Sequence, residues 1–183
     1  MKKILVINIF LIFFSSLAFA SLKNNIVQNL ENIENLSFNF EQNINGKIET
    51  GNCIIQYPKK IFCKYDLKNE KTLVSNGRSL VIKSKNSYYH YPLKKTPLNL
   101  ILDKNFILNK IKTSKIKVID DKYVIFEFEE NENKINIFFN IKDYQIIGWQ
   151  TEDLYQNLSI TYLSSIMINQ KIKKNIFIVP MQN

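Results

Sequence analysis

The stretch LSFNFEQNINGKIETGNCIIQYPKKIFCKYD, residues 36–66, decides the fold of this chain. At its start, apolar Leu36, Phe38 and Phe40 alternate with polar residues. This period of two predicts a β-strand with one buried face. Asn45-Gly46 follows, a pair that favours a tight hairpin turn. Two more short apolar runs, separated by a proline turn, complete the stretch, and we therefore predict three successive antiparallel strands.

The same pattern of short strands and turns continues to the end of the chain. Asn76-Gly77 marks another tight turn, and residues 123–128 and 135–139 are mostly aromatic or β-branched. After the first strand, we predict strands at residues 49–57, 61–66, 71–75, 79–83, 87–91, 115–119, 122–129, 134–140, 145–151, 157–163 and 176–179. A mainly β (α+β) chain of about eleven such strands predicts one large antiparallel sheet, curled into an incomplete barrel.

One clear helix precedes the sheet. Leu22, Ile26 and Leu30 recur at steps of four residues between polar ones, which predicts an amphipathic helix over residues 22–35. A sheet of this size must cover its apolar face, and few, short helices cannot fill a half-barrel. An apolar concavity that the helices leave unfilled is a ligand site.

The segment from Tyr91 to Leu102 breaks the strand pattern. Thr96 and Pro97 suit the N-cap and the first position of a short helix. The apolar residues that follow indicate a lid over the mouth of the half-barrel, although an ordinary packing helix would show the same pattern. The expected lid residues are Leu98, Leu100, Ile101 and Leu102. A second helical piece is predicted near residues 106–111.

The chain has two cysteines, Cys53 and Cys63, on either side of the turn at Pro58. In a regular hairpin centred on Pro58 they face each other across the strands. Cross-strand Cα separations of about 4.5–5.5 Å are compatible with a disulfide. Two buried free thiols are the alternative, and the pair is structural in either state.

Residues 1–20 have the layout of a secretory signal peptide, with a basic start, an apolar run and a small-x-small end. We expect cleavage after Ala20, which leaves residues 21–183 as a single domain. The new N-terminal residue would be Ser21 rather than a cysteine, so no lipid anchor is expected there. The mature protein should therefore be exported and free to diffuse.

Composition and isolated motifs argue against several classes of function. The net charge is +9, but the lysines are scattered and not interleaved with aromatic residues, so nucleic-acid binding is not expected. The single histidine, His90, lies in an alternating strand, and Glu127 and Glu129 alternate with phenylalanines as a solvated face. There is no Gly-rich phosphate loop. We expect no enzyme activity, no bound metal and no cofactor.

Several loose motifs occur in a definite order. They are F-x-F-x-Q at residues 38–42, G-x-x-I-x-x-x-P-x-K-x-x-x-x-Y-D at 51–66, L-V-S-N-G-x-x-L at 73–80 and Y-P-L-x-x-T-P-L-x-L-I-L at 91–102. In this order and spacing, the chain resembles the LolA family of periplasmic outer-membrane lipoprotein carriers. The resemblance implies an incomplete antiparallel barrel with an N-terminal helix and short lid helices over an apolar cavity.

The resemblance also implies a periplasmic chaperone that shields the acyl chains of lipoproteins. Its partners would be these lipoproteins, an inner-membrane lipoprotein-releasing transporter and an outer-membrane receptor, and the carrier itself would be a monomer. The alternating apolar positions expected to line the acyl-chain cavity are Phe38, Phe40, Ile54, Val124, Phe126, Ile135, Ile137, Phe139, Ile147, Trp149, Ile160 and Tyr162.

One position departs from the family pattern. Family members often carry an arginine just before the hairpin proline, which hydrogen-bonds the lid shut. Tyr57 stands there in this chain and is the expected lid-contact residue, with one donor where arginine has five. An envelope-sensing or structural interaction domain on the same half-barrel scaffold is the alternative function.

Overall fold

The structure, a computed structural model, describes residues 20–66, 68, 70–130, 133–152 and 157–182. Within these ranges the strands are β1 Asn35–Ile44, β2 Lys47–Gln56, β3 Lys60–Tyr65, β4 Thr72–Asn76, β5 Ser79–Lys83, β6 Tyr88–Pro92, β7 Ile116–Ile119, β8 Tyr123–Glu130, β9 Asn133–Asn140, β10 Ile146–Glu152 and β11 Leu158–Ile168. They form a single antiparallel sheet in the order β6-β5-β4-β3-β2-β1-β11-β10-β9-β8-β7. Because β6 and β7 are its two edges, the sheet is not closed into a barrel. The fold class expected from the sequence is confirmed.

The helices in the described part of the chain pack on one face of the sheet, which we call the inner face. They are α1 at residues 20–31, a 3-10 helix at Leu93–Lys95, α2 at Leu98–Ile101 and α3 at Lys104–Thr113. α1 ends earlier than predicted because Asn35 already begins β1. The signal peptide expected at residues 1–20 lies outside the described residues, apart from Ala20.

The core fills the space between α1, α3 and the inner face. Ile26 and Leu30 of α1 are almost fully buried, as expected for the apolar stripe of an amphipathic helix. Edge-to-face aromatic pairs add to this core; the ring centroids of Phe126 and Phe139, on the neighbouring strands β8 and β9, are 5.7 Å apart. Such pairs contribute about 0.5–1.5 kcal/mol beyond the area that they bury. The core thus holds the helices firmly at one end of the half-barrel.

Polar contacts fix the two long helices to each other and to the sheet. The Lys104 Nζ donates hydrogen bonds of 2.9 Å to the carbonyls of Glu31 and Ile33, where α1 ends. A lysine in this position satisfies carbonyls that have no partner within the helix. At the far end of α3, Lys110 pairs with Glu130 of β8 at 2.8 Å.

Cys53 and Cys63 are direct partners in the β2–β3 register and are joined by a disulfide. Their Cα atoms are 4.1 Å apart, and both residues are buried on the inner face. Of the two states left open by the sequence, the structure therefore contains the disulfide.

Two local predictions are wrong. The strand expected at residues 176–179 is absent from the described chain, where residues 170–182 form turns and irregular structure. This segment contacts β5 and β6 instead: the Lys83 Nζ donates to the Met181 carbonyl at 3.0 Å, and the Tyr88 hydroxyl donates to the Pro180 carbonyl at 3.1 Å. Thr96 does not cap α2, since its hydroxyl donates to the Leu93 carbonyl at 2.8 Å and so closes the 3-10 helix.

Candidate functional site

A cavity of about 200 Å³ lies between α2 and the inner face of the central strands. Most of its wall is apolar. The sheet contributes Phe40, Ile61, Leu80, Trp149 and the Cys53–Cys63 disulfide, and the lid contributes Thr96, Pro97, Leu98 and Ile101. A cavity with this lining can hold apolar groups.

The residues expected to form the lid lie over this cavity. Ile101 is 1% exposed and Leu102 is fully buried, so the lid contributes side chains to the core itself. Leu98 and Leu100 are half-buried and pack against the same core. The segment expected to be the lid therefore covers the cavity and packs into the core.

The hairpin between β2 and β3 contacts the lid through Lys59. Its backbone N–H donates to the carbonyl of Leu102 at 2.8 Å, and its Nζ lies 3.2 Å from the Asp103 carboxylate. Lys59 has a positive φ of 65°, and its carbonyl accepts a 3.0 Å hydrogen bond from the Ser75 hydroxyl. Lys59 is thus anchored to β4 on one side and holds the lid on the other.

Tyr57 does not make the lid contact expected of it. Its ring packs against the core, with the Lys104 Nζ 6.0 Å from the ring centroid. Among the described residues, no hydrogen bond joins its hydroxyl to the lid. Burial raises the pKa of Tyr57, so the phenol stays neutral. Lys59, two residues further along the hairpin, contacts the lid instead.

The inner face becomes polar towards the β1–β2 hairpin. Gln42, Thr151, Ser159 and Thr161 line this end of the cavity, and Thr161 is only 4% exposed. The Gln42 Nε2 donates to the Ser159 Oγ at 3.1 Å and to the Thr161 Oγ1 at 3.2 Å. The Tyr65 hydroxyl lies 3.5 Å from the Gln42 Oε1.

A buried carboxylate adjoins this polar end. Glu49, opposite Gln42 in the β1–β2 register, is 3% exposed and ion-paired with Lys47, at 2.8 Å, and with Lys71. Burial acts to raise the pKa of Glu49, but the hydrogen bonds and charges of the two lysines outweigh burial and lower that pKa. Burial, together with the Glu49 charge, raises the pKa of Tyr65. The carboxylate is therefore ionised and neutralised by its own partners.

Eight of the expected cavity residues are buried in the core of the inner face. They are Phe38, Phe40, Val124, Phe126, Ile135, Ile137, Phe139 and Trp149. With the lid closed, only Phe40 and Trp149 of these eight line the cavity. The other six pack against helices and neighbouring strands.

The other four expected cavity residues, Ile54, Ile147, Ile160 and Tyr162, lie on the opposite face. Directly paired residues of neighbouring strands share a face of the sheet. Phe38 faces inward and pairs with Cys53, so Ile54, the next residue, faces outward. Ile160 and Tyr162 face outward because Thr161, which lies between them in the sequence, faces inward opposite Gln42.

Ile147 is outside for a different reason. The β9–β10 register shifts between Ile146 and Gly148, so that strict alternation fails at this point. Ile146 and Trp149 are consequently both buried in the core, although they are three positions apart, an odd spacing that strict alternation would place on opposite faces. Gly148 is required there, because a Cβ atom would collide with the Thr161 carbonyl oxygen.

The described residues contain no cluster of three or more His, Cys, Asp or Glu side chains that could hold a metal ion. Within the same ranges, no helix has the length and apolar character needed to cross a membrane.

The chain is thus an open antiparallel half-barrel with a helical lid over an apolar cavity. A family model described as "Outer membrane lipoprotein carrier protein LolA" matches residues 31–179. The protein therefore belongs to the LolA family. No curated protein gives a significant match to the sequence.

Several solved structures are similar to this chain. A LolA superfamily protein from Nitrosomonas europaea has 10% identity and a TM-score of 0.42, with 84% of this chain and 96% of that chain covered. The lipoprotein LppX of Mycobacterium tuberculosis has 8% identity and a TM-score of 0.46, covering 85% and 97%. The MucA/MucB complex of Pseudomonas aeruginosa has 7% identity and a TM-score of 0.48, covering 89% and 61%.

Proposed function

We propose that this protein is a periplasmic chaperone that binds the acyl chains of lipoproteins released from the inner membrane and carries them to the outer membrane. Membership of the LolA family and the lidded apolar cavity support this proposal. The carrier would be residues 21–183, acting as a monomer. An inner-membrane releasing transporter and an outer-membrane receptor would be its partners.

The observation that carries the proposal is the lid, which closes over a cavity too small for its ligand. Ligand pockets commonly measure about 300–1,000 Å³, whereas the cavity under the lid measures about 200 Å³. An acyl ligand must therefore displace α2, and Ile101 and Leu102 must leave the core. Acyl methylenes would then contact the inner face in their place.

The driving force is hydrophobic. Each methylene removed from water contributes about 0.8 kcal/mol, so a multi-acyl anchor does not cross an aqueous compartment unshielded. Because apolar contacts are not directional, such a site accepts chains of different kinds and can release them to a receptor. We expect no covalent chemistry.

Trp149 provides the test, because it is the single tryptophan and lines the cavity. Acyl chains brominated near their methyl end should quench its emission, while the aqueous quencher acrylamide should become less effective as the ligand binds. The functional assay is release of a triacylated lipoprotein from inner-membrane vesicles into the soluble fraction. A protein that neither binds brominated acyl chains nor solubilises the lipoprotein would contradict the proposal.

A matched pair of variants controls for nonspecific binding. Leu80→Asp places a charge in the cavity wall, whereas Tyr162→Asp places the same charge on the outer face, where Tyr162 is 54% exposed. The first should abolish acyl quenching of Trp149, and the second should retain it. Equal loss in both would show that the acyl chains bind elsewhere.

A further inference from the structure

The polar end of the cavity contains hydrogen-bond donors without a protein acceptor. The two N–H bonds of the Gln42 side-chain amide are directed to the hydroxyl oxygens of Ser159 and Thr161. Each hydroxyl therefore accepts one hydrogen bond while its own hydrogen stays available to donate. Within the described part of the chain, neither hydroxyl donates to another group. Both residues line the cavity, so these hydrogens are available to a ligand.

The arrangement is pre-organised by the sheet. Gln42 is the direct partner of Thr161 in the β1–β11 register, and Ser159 is the direct partner of Thr151 in the β10–β11 register. The strand backbones thus hold the Ser159 and Thr161 hydroxyls at the edge of the apolar surface. A ligand group that accepts hydrogen bonds, directly joined to an apolar chain, matches this boundary.

The neighbouring carboxylate does not compete for the ligand. Glu49 would repel an anionic head group, but Lys47 and Lys71 already neutralise it. The free donors at the boundary are hydroxyls rather than cations, so a buried carboxylate or phosphate would lack a counter-ion there, whereas a neutral carbonyl needs only the hydrogen bonds.

We propose that Ser159 and Thr161, oriented by Gln42, form a subsite for the ester carbonyls that join acyl chains to glycerol. This inference rests on the proposed function and refines it: the chains would lie against the apolar wall, and their ester groups would reach the polar end. A diacylglyceryl cysteine and a free glycerolipid share this chemistry.

The test compares ligands that differ only in the carbonyl. Dioctanoylglycerol and its diether analogue, dioctylglycerol, are titrated against the full chain by displacement of a fluorescent acyl probe. The diester should bind about five-fold more tightly per hydrogen bond gained, and a diacylglyceryl-cysteine lipopeptide should show the same preference over its diether form. Tighter binding of the lipopeptide than of the glycerolipids, equal for its diester and diether forms, would overturn the ester subsite and point to recognition of the peptide.

Variants test whether the Ser159 and Thr161 hydroxyls cause the preference for the diester. Thr161→Val keeps the side-chain volume, and Ser159→Ala removes the less buried hydroxyl should Thr161→Val fail to fold. Each should lower the diester-to-diether ratio towards one without weakening diether binding. Ser164→Ala, on the outer face of the same strand, is the matched control and should keep the ratio.

The outcomes separate the two proposals. Equal affinity of diester and diether for the wild-type chain would overturn the ester subsite and leave the acyl carrier intact. Absence of binding by both ligands and by the acyl probe would overturn the carrier function itself. A ratio that survives in Thr161→Val and Ser159→Ala would place ester recognition elsewhere.

Discussion

Two substitutions of Asp103 should favour opening of the lid to different extents. The Asp103 carboxylate has two roles, because one oxygen accepts a 3.1 Å hydrogen bond from the Phe106 N–H and caps α3, while the other pairs with Lys59. Asparagine is as good an N-cap as aspartate, so Asp103→Asn removes only the ion pair. Asp103→Ala removes both contacts.

The magnitudes follow from exposure and geometry. Lys59 and Asp103 are 34% and 28% exposed, so solvent screens their ion pair, and it contributes about 0.5 kcal/mol. Loss of the cap costs about 1 kcal/mol more. Since about 1.4 kcal/mol is a ten-fold change, lid opening should rise about two-fold in Asp103→Asn and about ten-fold in Asp103→Ala.

Amide hydrogen exchange measures this opening directly. The Lys59 N–H donates to the Leu102 carbonyl, so it exchanges only when the lid leaves the hairpin. The exchange rate of this amide should rise about two-fold in Asp103→Asn and about ten-fold in Asp103→Ala, while the exchange rates of the amides between β1 and β2 stay unchanged. If the Lys59 amide exchanged as slowly as that ladder in the wild-type protein, the lid would open only with global unfolding and the reasoning would be refuted.

Two further predictions concern the sheet. The Cys53–Cys63 disulfide spans a sequence separation of ten residues, for which the chain-entropy relation gives about 2.7 kcal/mol of stabilisation. The free energy of unfolding in urea should fall by that amount in the Cys53→Ala/Cys63→Ala protein. An unchanged unfolding midpoint would contradict this prediction. Glu49 has a lowered pKa in the folded state, so its contribution to stability is present above its ordinary pKa of about 4.5 and is lost as the pH falls below that value. Glu49→Gln should therefore flatten the acid limb of the stability profile, and an identical acid limb would show that Glu49 does not cause it.

Alternation along single strands was enough to predict most of the inner face. Ile135 and Ile137 of β9 alternate with polar residues, and hydropathy alone identifies their buried face. At β11 the same rule selects the wrong face, because polar Thr161 lies inside while Tyr162 lies outside. Hydropathy alone cannot detect a polar residue such as Thr161 on the inner face.

The role of Lys59 could not be predicted for a related reason. In the sequence it is one of several turn lysines, and its neighbour Tyr57 occupies the position that the family resemblance points to. What selects Lys59 is its positive φ, which directs its backbone N–H to Leu102 and its side chain to Asp103. These contacts exist only after a lid from a distant part of the chain has docked on the hairpin.

The free energy needed to open the lid sets a minimum length for the acyl chain. Moving Ile101 and Leu102 from the core into water costs about 3–6 kcal/mol, and the contacts of Asp103 add about 1.5 kcal/mol. At about 0.8 kcal/mol per methylene, some six to nine methylenes offset this cost. Fatty acyl chains of fewer than about six carbons should therefore leave Trp149 emission unchanged, whereas chains of about twelve or more should alter it. The threshold should move to shorter chains in Asp103→Ala, because part of the cost is gone. Equal responses to short and long chains would mean that ligands enter without moving α2, and the closed cavity would then be the binding site itself.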